Sequence, residues 1–175
     1  MRKKEHMFSR IIKILSIILL LIMLLLLIAS GYYLLNTRLI VEGSSASVYN
    51  AAQPEVKDRF ISDRNSLGVS AVQGTVFRVT DLADDENCEY VFYTLRLKNT
   101  EMFKAETVEI SLNRQMKDIL FYMPYDREIT INPGASTDIT CILLREKGAE
   151  NTARDLRITY YYLGKMYQMR YTYDR

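Results

Sequence analysis

Five carboxylates crowd the segment DLADDENCE, at Asp81, Asp84, Asp85, Glu86 and Glu89. Hard oxygen ligands at that density are what a calcium ion needs, but the segment lacks the D-x-D-x-D-G order of a calcium loop. Asp81, Asp84, Asp85 and Glu86 are therefore weak candidates for a divalent cation, and a solvated turn is the plainer reading. Cys88 and Cys141 lie 53 residues apart, within the range of an inter-sheet disulfide. Cys141 shares a register with Ile139 and Leu143, whereas Cys88 has the parity opposite to Val91 and Tyr93, so two free thiols compete with the cross-link. The single histidine, His6, precedes the apolar segment described below. A Ser-His-acid triad or Cys-His pair therefore has no base in the rest of the chain, and no GxSxG, HExxH, CxxC or P-loop string occurs. Carboxylate pairs suited to glycoside hydrolysis exist, but they need a groove that a small domain has little material to build. The expectation is a protein that is not an enzyme, with no cofactor and no small-molecule substrate.

Thirteen tyrosines with no tryptophan point instead to surfaces. Six of them, Tyr160, Tyr161, Tyr162, Tyr167, Tyr171 and Tyr173, fall in two period-two runs, 156–163 and 166–173, separated by Gly164-Lys165. Glycine at the first central position suits a type II′ hairpin. That pairing sets Leu163 opposite Met166 and Tyr162 opposite Tyr167. Ile158, Tyr160, Tyr162, Tyr167, Met169 and Tyr171 then share an apolar face. The other face carries Tyr161, Leu163, Met166, Gln168 and Arg170, a mixture typical of protein interfaces.

These residues must be held by the elements around them. Residues 11–35 read IIKILSIILLLIMLLLLIASGYYLL, long enough at 1.5 Å per residue to cross a hydrocarbon core of about 30 Å as a helix. Five basic residues precede or open it and only Arg38 follows closely, so the bias predicts residues 1–10 as a short cytoplasmic tail. The later residues are then extracytoplasmic on a single-pass anchor. A cleaved signal peptide is the rival reading, but its apolar core is normally 7 to 15 residues. The first 35 residues carry five basic and one acidic residue, +4. The remaining 18 basic and 20 acidic residues leave the rest at −2, which gives no footprint for nucleic acid.

Residues 36–70 show no sustained period and read as a linker or stalk, with a short helix around 55–61 as an option in which Val56 and Phe60 share a face. From residue 71 onward, seven to eight short strands with polar turns predict an all-β domain of two packed antiparallel sheets over 71–175, with a barrel as the alternative closure. YTLRLKNT (93–100) followed by NPGASTDIT (132–140) resembles the immunoglobulin-like or fibronectin-III-like sandwiches that bacteria carry outside the membrane. That resemblance implies an interaction module. The functional expectation is a non-catalytic membrane-anchored subunit that contacts protein partners in a cell-envelope assembly. A module for a cell-surface polymer or carbohydrate is the alternative.

Overall fold

A computed structural model of the protein describes residues 2–36, 39–69, 74–78, 84–125, 127–148 and 153–174. The chain divides into two units, Met1–Arg38 and Leu39–Arg175. The first is helix α1, Arg2–Asn36, within which Ile12–Gly31 is long and apolar enough to span a membrane, with none of that stretch buried in protein. Twenty residues at 1.5 Å rise cover about 30 Å. This supports membrane anchoring with a single-pass topology.

The second unit contains strand β1 (Leu39–Asn50), helix α2 (Pro54–Val69), and strands β2 (Thr75–Val76), β3 (Cys88–Asn99), β4 (Glu106–Leu112), β5 (Asp118–Tyr122), β6 (Ser136–Glu146), β7 (Arg154–Tyr162) and β8 (Lys165–Tyr173). All pairings are antiparallel, in a five-stranded sheet of order β1-β3-β6-β5-β2 and a three-stranded sheet of order β4-β7-β8. One core lies between the sheets. It buries Leu95 and Leu97 of β3, Ile139 and Leu143 of β6, Val108 and Ile110 of β4, and Leu156 and Ile158 of β7. A second core lies on the other face of the five-stranded sheet, where Val56, Phe60 and Leu67 of α2 cover Cys88, Tyr90, Ile119, Leu120, Ile142 and Leu144.

That second core corrects the expected fold. The domain is mixed α/β with two open sheets, and is neither an all-β immunoglobulin-like or fibronectin-III-like sandwich nor a barrel. The reason lies in the strand sequences. In β3 the even positions Cys88, Tyr90 and Phe92 are apolar before Thr94, Arg96 and Lys98 turn polar, so half of the supposedly wet face needs a cover. The residues read as a stalk supply it: β1 and α2 belong to the same unit as the later strands. Pro54 opens α2 at a position where its missing N–H costs nothing, and Glu55 complements the helix dipole in the first turn.

Near the start of the region predicted to be all-β, the strand described is the short β2, Thr75–Val76. Gly74 precedes it at φ +129°, and a Cβ there would meet Tyr122 Cβ at 2.5 Å and the Phe121 carbonyl at 2.6 Å, so no other residue fits without displacing β5. In the hairpin the two-residue loop is Leu163-Gly164, with φ +50° and +75°, rather than Gly164-Lys165. Positive φ at both positions is the type I′ geometry, which like type II′ matches the twist of the flanking strands. The register therefore shifts by two residues, to Tyr162↔Lys165, Tyr161↔Met166 and Tyr160↔Tyr167. A shift of two keeps every side chain on its predicted face.

Candidate functional site

The outer face of the three-stranded sheet is built of three rungs. They read Glu106–Tyr161–Met166, Glu109–Thr159–Gln168 and Ser111–Arg157–Arg170 across β4, β7 and β8. The structure thus brings Tyr161, Met166, Gln168 and Arg170 together on one face, and sets Leu163 beyond them in the turn. Tyr161 is half-buried, whereas Leu163 and Met166 are 69 % and 55 % exposed. β8 ends the sheet, and none of its nine residues is buried. The inward positions Tyr167, Met169, Tyr171 and Tyr173 pack against the inter-sheet core, with Tyr160 and Tyr167 stacked at 5.8 Å.

Arg157 was missed as a partner of Arg170, because the type II′ register set Arg170 against a different residue. The observed register opposes two guanidinium side chains directly, an arrangement that destabilises a sheet unless an anion is shared. Among the described residues neither arginine has a carboxylate within 4.0 Å. Both line an open hollow of about 430 Å³ with Thr75, Ser111, Asn113 and Asp155. The Asp155 carboxylate accepts from the Thr172 hydroxyl at 2.7 Å. The lining is rich in N–H and O–H donors, suited to a carboxylate or another oxyanion.

The other sequence candidates are placed elsewhere. Asp85–Asn87 form a 3-10 turn entered at Asp84, and Asn87 Nδ2 donates to Asp84 at 3.4 Å. Asp81 lies outside the described residues. No group of three His, Cys, Asp or Glu side chains among the described residues is arranged to hold a metal. Cys88 and Cys141 are both free and buried. Cys88 faces α2 and Cys141 the inter-sheet core. Cys88 pairs with Glu146, five residues along β6 from Cys141, roughly 17 Å at strand rise, so the disulfide reading is corrected. Burial pushes the Cys141 thiol up to about 12 and raises that of Cys88.

Two buried polar groups and one partly buried one had no signal in the residue pattern, because each is made across distant elements. Asp118 and Arg154 form a two-bond ion pair at 2.8 and 2.9 Å between the sheets, their side chains 0 % and 3 % exposed. Asn99 donates to the Phe103 and Ile131 carbonyls and accepts from the Tyr162 hydroxyl and the Glu101 N–H. Asp63 of α2 accepts from the hydroxyls of Tyr90 and Tyr122 at 2.8 and 2.9 Å, and Arg59 donates to Tyr122. Burial raises the Asp63 acid above its ordinary value and pushes Tyr122 up to about 12.

No protein-family profile matches the chain, and no curated protein does. Among solved structures the chain is similar to the FixG-related protein from Vibrio parahaemolyticus, at 10 % identity and a TM-score of 0.32 over 76 % of this chain and 96 % of that one. A likeness of that degree carries no argument about fold or activity. The description of the domain as immunoglobulin-like falls with the all-β fold, and with it the expectation of function drawn from that resemblance.

Proposed function

We propose that the chain is a membrane-anchored docking subunit, with its mixed α/β domain on the extracytoplasmic side. The domain holds a carboxylate-bearing segment of a protein partner on the outer face of β7 and β8, and its role is binding rather than turnover. The observation that carries this reading is the opposed pair Arg157 and Arg170, with no carboxylate within 4.0 Å of either among the described residues, beside the exposed Met166 and the half-buried Tyr161 on an open-edged sheet. Arginine, tyrosine and methionine are enriched where proteins meet, and an extended segment can add to the free edge of β8. The basic bias before residue 14 supports the orientation. The polymer-binding reading has less support, because Tyr160 and Tyr162 of the hairpin are buried in the core.

A photo-cross-linking residue in place of Gln168, in the full chain in native membranes, tests the proposal. The expected result is one discrete protein adduct that is lost when Arg157 and Arg170 are both changed to Glu. Absence of any adduct at Gln168, or an adduct unaffected by the double charge reversal, contradicts it.

A further inference from the structure

The two edges of the three-stranded sheet differ. Beyond β4 the segment 129–131 bonds to the strand region: Ala105 and Ile131 exchange N–H to carbonyl bonds at 2.9 and 2.8 Å, and the Val108 N–H donates to the Ile129 carbonyl at 3.0 Å. Beyond β8 no described backbone group bonds to the strand. The hairpin fixes where its unpaired groups point. Residues that close a two-residue turn exchange both hydrogen bonds, and along an antiparallel ladder bonded and non-bonded pairs alternate. Tyr162↔Lys165 and Tyr160↔Tyr167 are therefore bonded pairs, whereas Tyr161↔Met166, Thr159↔Gln168 and Arg157↔Arg170 are not. The Asp155 carbonyl agrees, accepting from the Asn113 N–H on the β4 side at 3.1 Å and not from Thr172 opposite it. Met166, Gln168, Arg170 and Thr172 thus turn their N–H and C=O groups out of the sheet, while their side chains lie on its outer face.

Beside this edge the seam between the sheets is open. Val41, Ser44 and Ala46 of β1 oppose Leu97, Leu95 and Tyr93 of the inter-sheet core and so face the smaller sheet, yet none of the three is buried. The Ser44 hydroxyl meets that of Tyr171 at 2.6 Å, which sets β8 against this wall. The inward residues Tyr167, Met169 and Tyr171 are likewise only half-buried. We infer that β8 takes an antiparallel strand from the partner, with a carboxylate residue opposite Arg170. Towards its C-terminus that strand sets a polar residue opposite Gln168 and an apolar one opposite Met166. The two residues between, opposite Met169 and Tyr167, turn apolar side chains into the seam. The carboxylate extends the rung Ser111–Arg157–Arg170, where two guanidinium side chains otherwise oppose each other, and the backbone groups of β8 supply the remaining bonds. A second copy of the chain is the wrong occupant. Lys165–Tyr173 holds no acidic residue, so β8 paired with itself brings no carboxylate to Arg170.

Strand addition presupposes the docking role of that face, and the test separates the two. The probe is a fluorescent peptide of order Glu-Val-Thr-Val-Leu, blocked at both ends, titrated by anisotropy against the full chain in detergent. The expected result is saturable binding that weakens roughly ten-fold when the threonine amide is N-methylated and changes little when the second valine amide is, because only the first amide faces β8. The reversed order, Leu-Val-Thr-Val-Glu, binds several-fold more weakly. Residue-resolved hydrogen exchange shows the Gln168 and Arg170 amides slowing on binding, while those of Tyr167 and Met169 are slow in the chain alone. Absence of binding, equal effects of the two methyl groups, or equal binding of the two orders overturns strand addition. If the photo-cross-link at Gln168 in native membranes still forms and is lost on double charge reversal, the docking face stands without the strand. No cross-link together with no peptide binding overturns both. The methyl groups sit on the peptide, so no outcome depends on the folding of a variant chain.

Discussion

At the residue scale the domain is held by polar contacts that the sequence does not announce. The Asp63 acid is raised from its ordinary 3.8 chiefly by burial beneath α2, against the lowering pull of the Tyr90 and Tyr122 hydroxyls. A folded value above the unfolded one gives stability that is fully present below 3.8 and lost as pH rises through the raised folded value. Urea midpoints of the full chain in detergent should therefore fall over that window, and Asp63→Asn should flatten the profile; an unchanged slope in the variant would assign the dependence to another group. The Asp118–Arg154 pair makes a different demand. Arg154→Met leaves the Asp118 carboxylate buried without its ion-pair partner, the Gln115 N–H still donating to it, at a cost of about 3–5 kcal/mol. Adding Asp118→Asn removes the stranded charge, so the double variant should be more stable than the single one in denaturant titration. For the two cysteines, thiol reagents should modify neither in the folded chain and both in denaturant, with identical mobility on reducing and non-reducing gels. A mobility change on reduction would contradict the separate faces assigned to Cys88 and Cys141.

At the element scale the strands were legible and the helix only in part. Alternation marked the two strands of the terminal hairpin within a residue or two, because side chains on successive strand positions print a period of two. The hairpin turn was misread by one position: Gly164 was visible, but a leucine at positive φ before it was not to be expected. The stalk reading failed because the helical stretch after Pro54 contains only sparse apolar residues. Val56, Phe60 and Leu67 suffice to cover a sheet whose own side chains supply most of the apolar surface. The continuous apolar runs Ile119–Phe121 and Cys141–Leu144 are what two buried faces look like in sequence, and they were the available signal for a second layer. Phe60 is 3 % exposed in that layer. Phe60→Ala should cost about 3–5 kcal/mol and lower hydrogen-exchange protection in α2 before it does so in β7. Loss spread evenly over both sheets would mean that α2 is not a separable layer.

At the scale of the whole molecule, the apolar stretch read from composition at 11–35 contains the helical segment Ile12–Gly31, long and apolar enough to cross a membrane. The candidate contact face was also legible as a set, because a register shift of two preserves parity. Its charge logic was not, because the opposition of Arg157 and Arg170 depends on the exact turn. The proposed docking role joins an N-terminal apolar helix that ends at Asn36, a domain whose first strand begins at Leu39, and an arginine-bearing sheet face offered to a partner. Exposure of that domain is the claim on which the docking role depends. Its most direct test is protease treatment of intact cells producing the full chain with a C-terminal epitope. The account predicts that the epitope is digested before lysis and that a membrane-embedded N-terminal fragment carrying residues 12–31 remains. An epitope protected until the membrane is opened would contradict it.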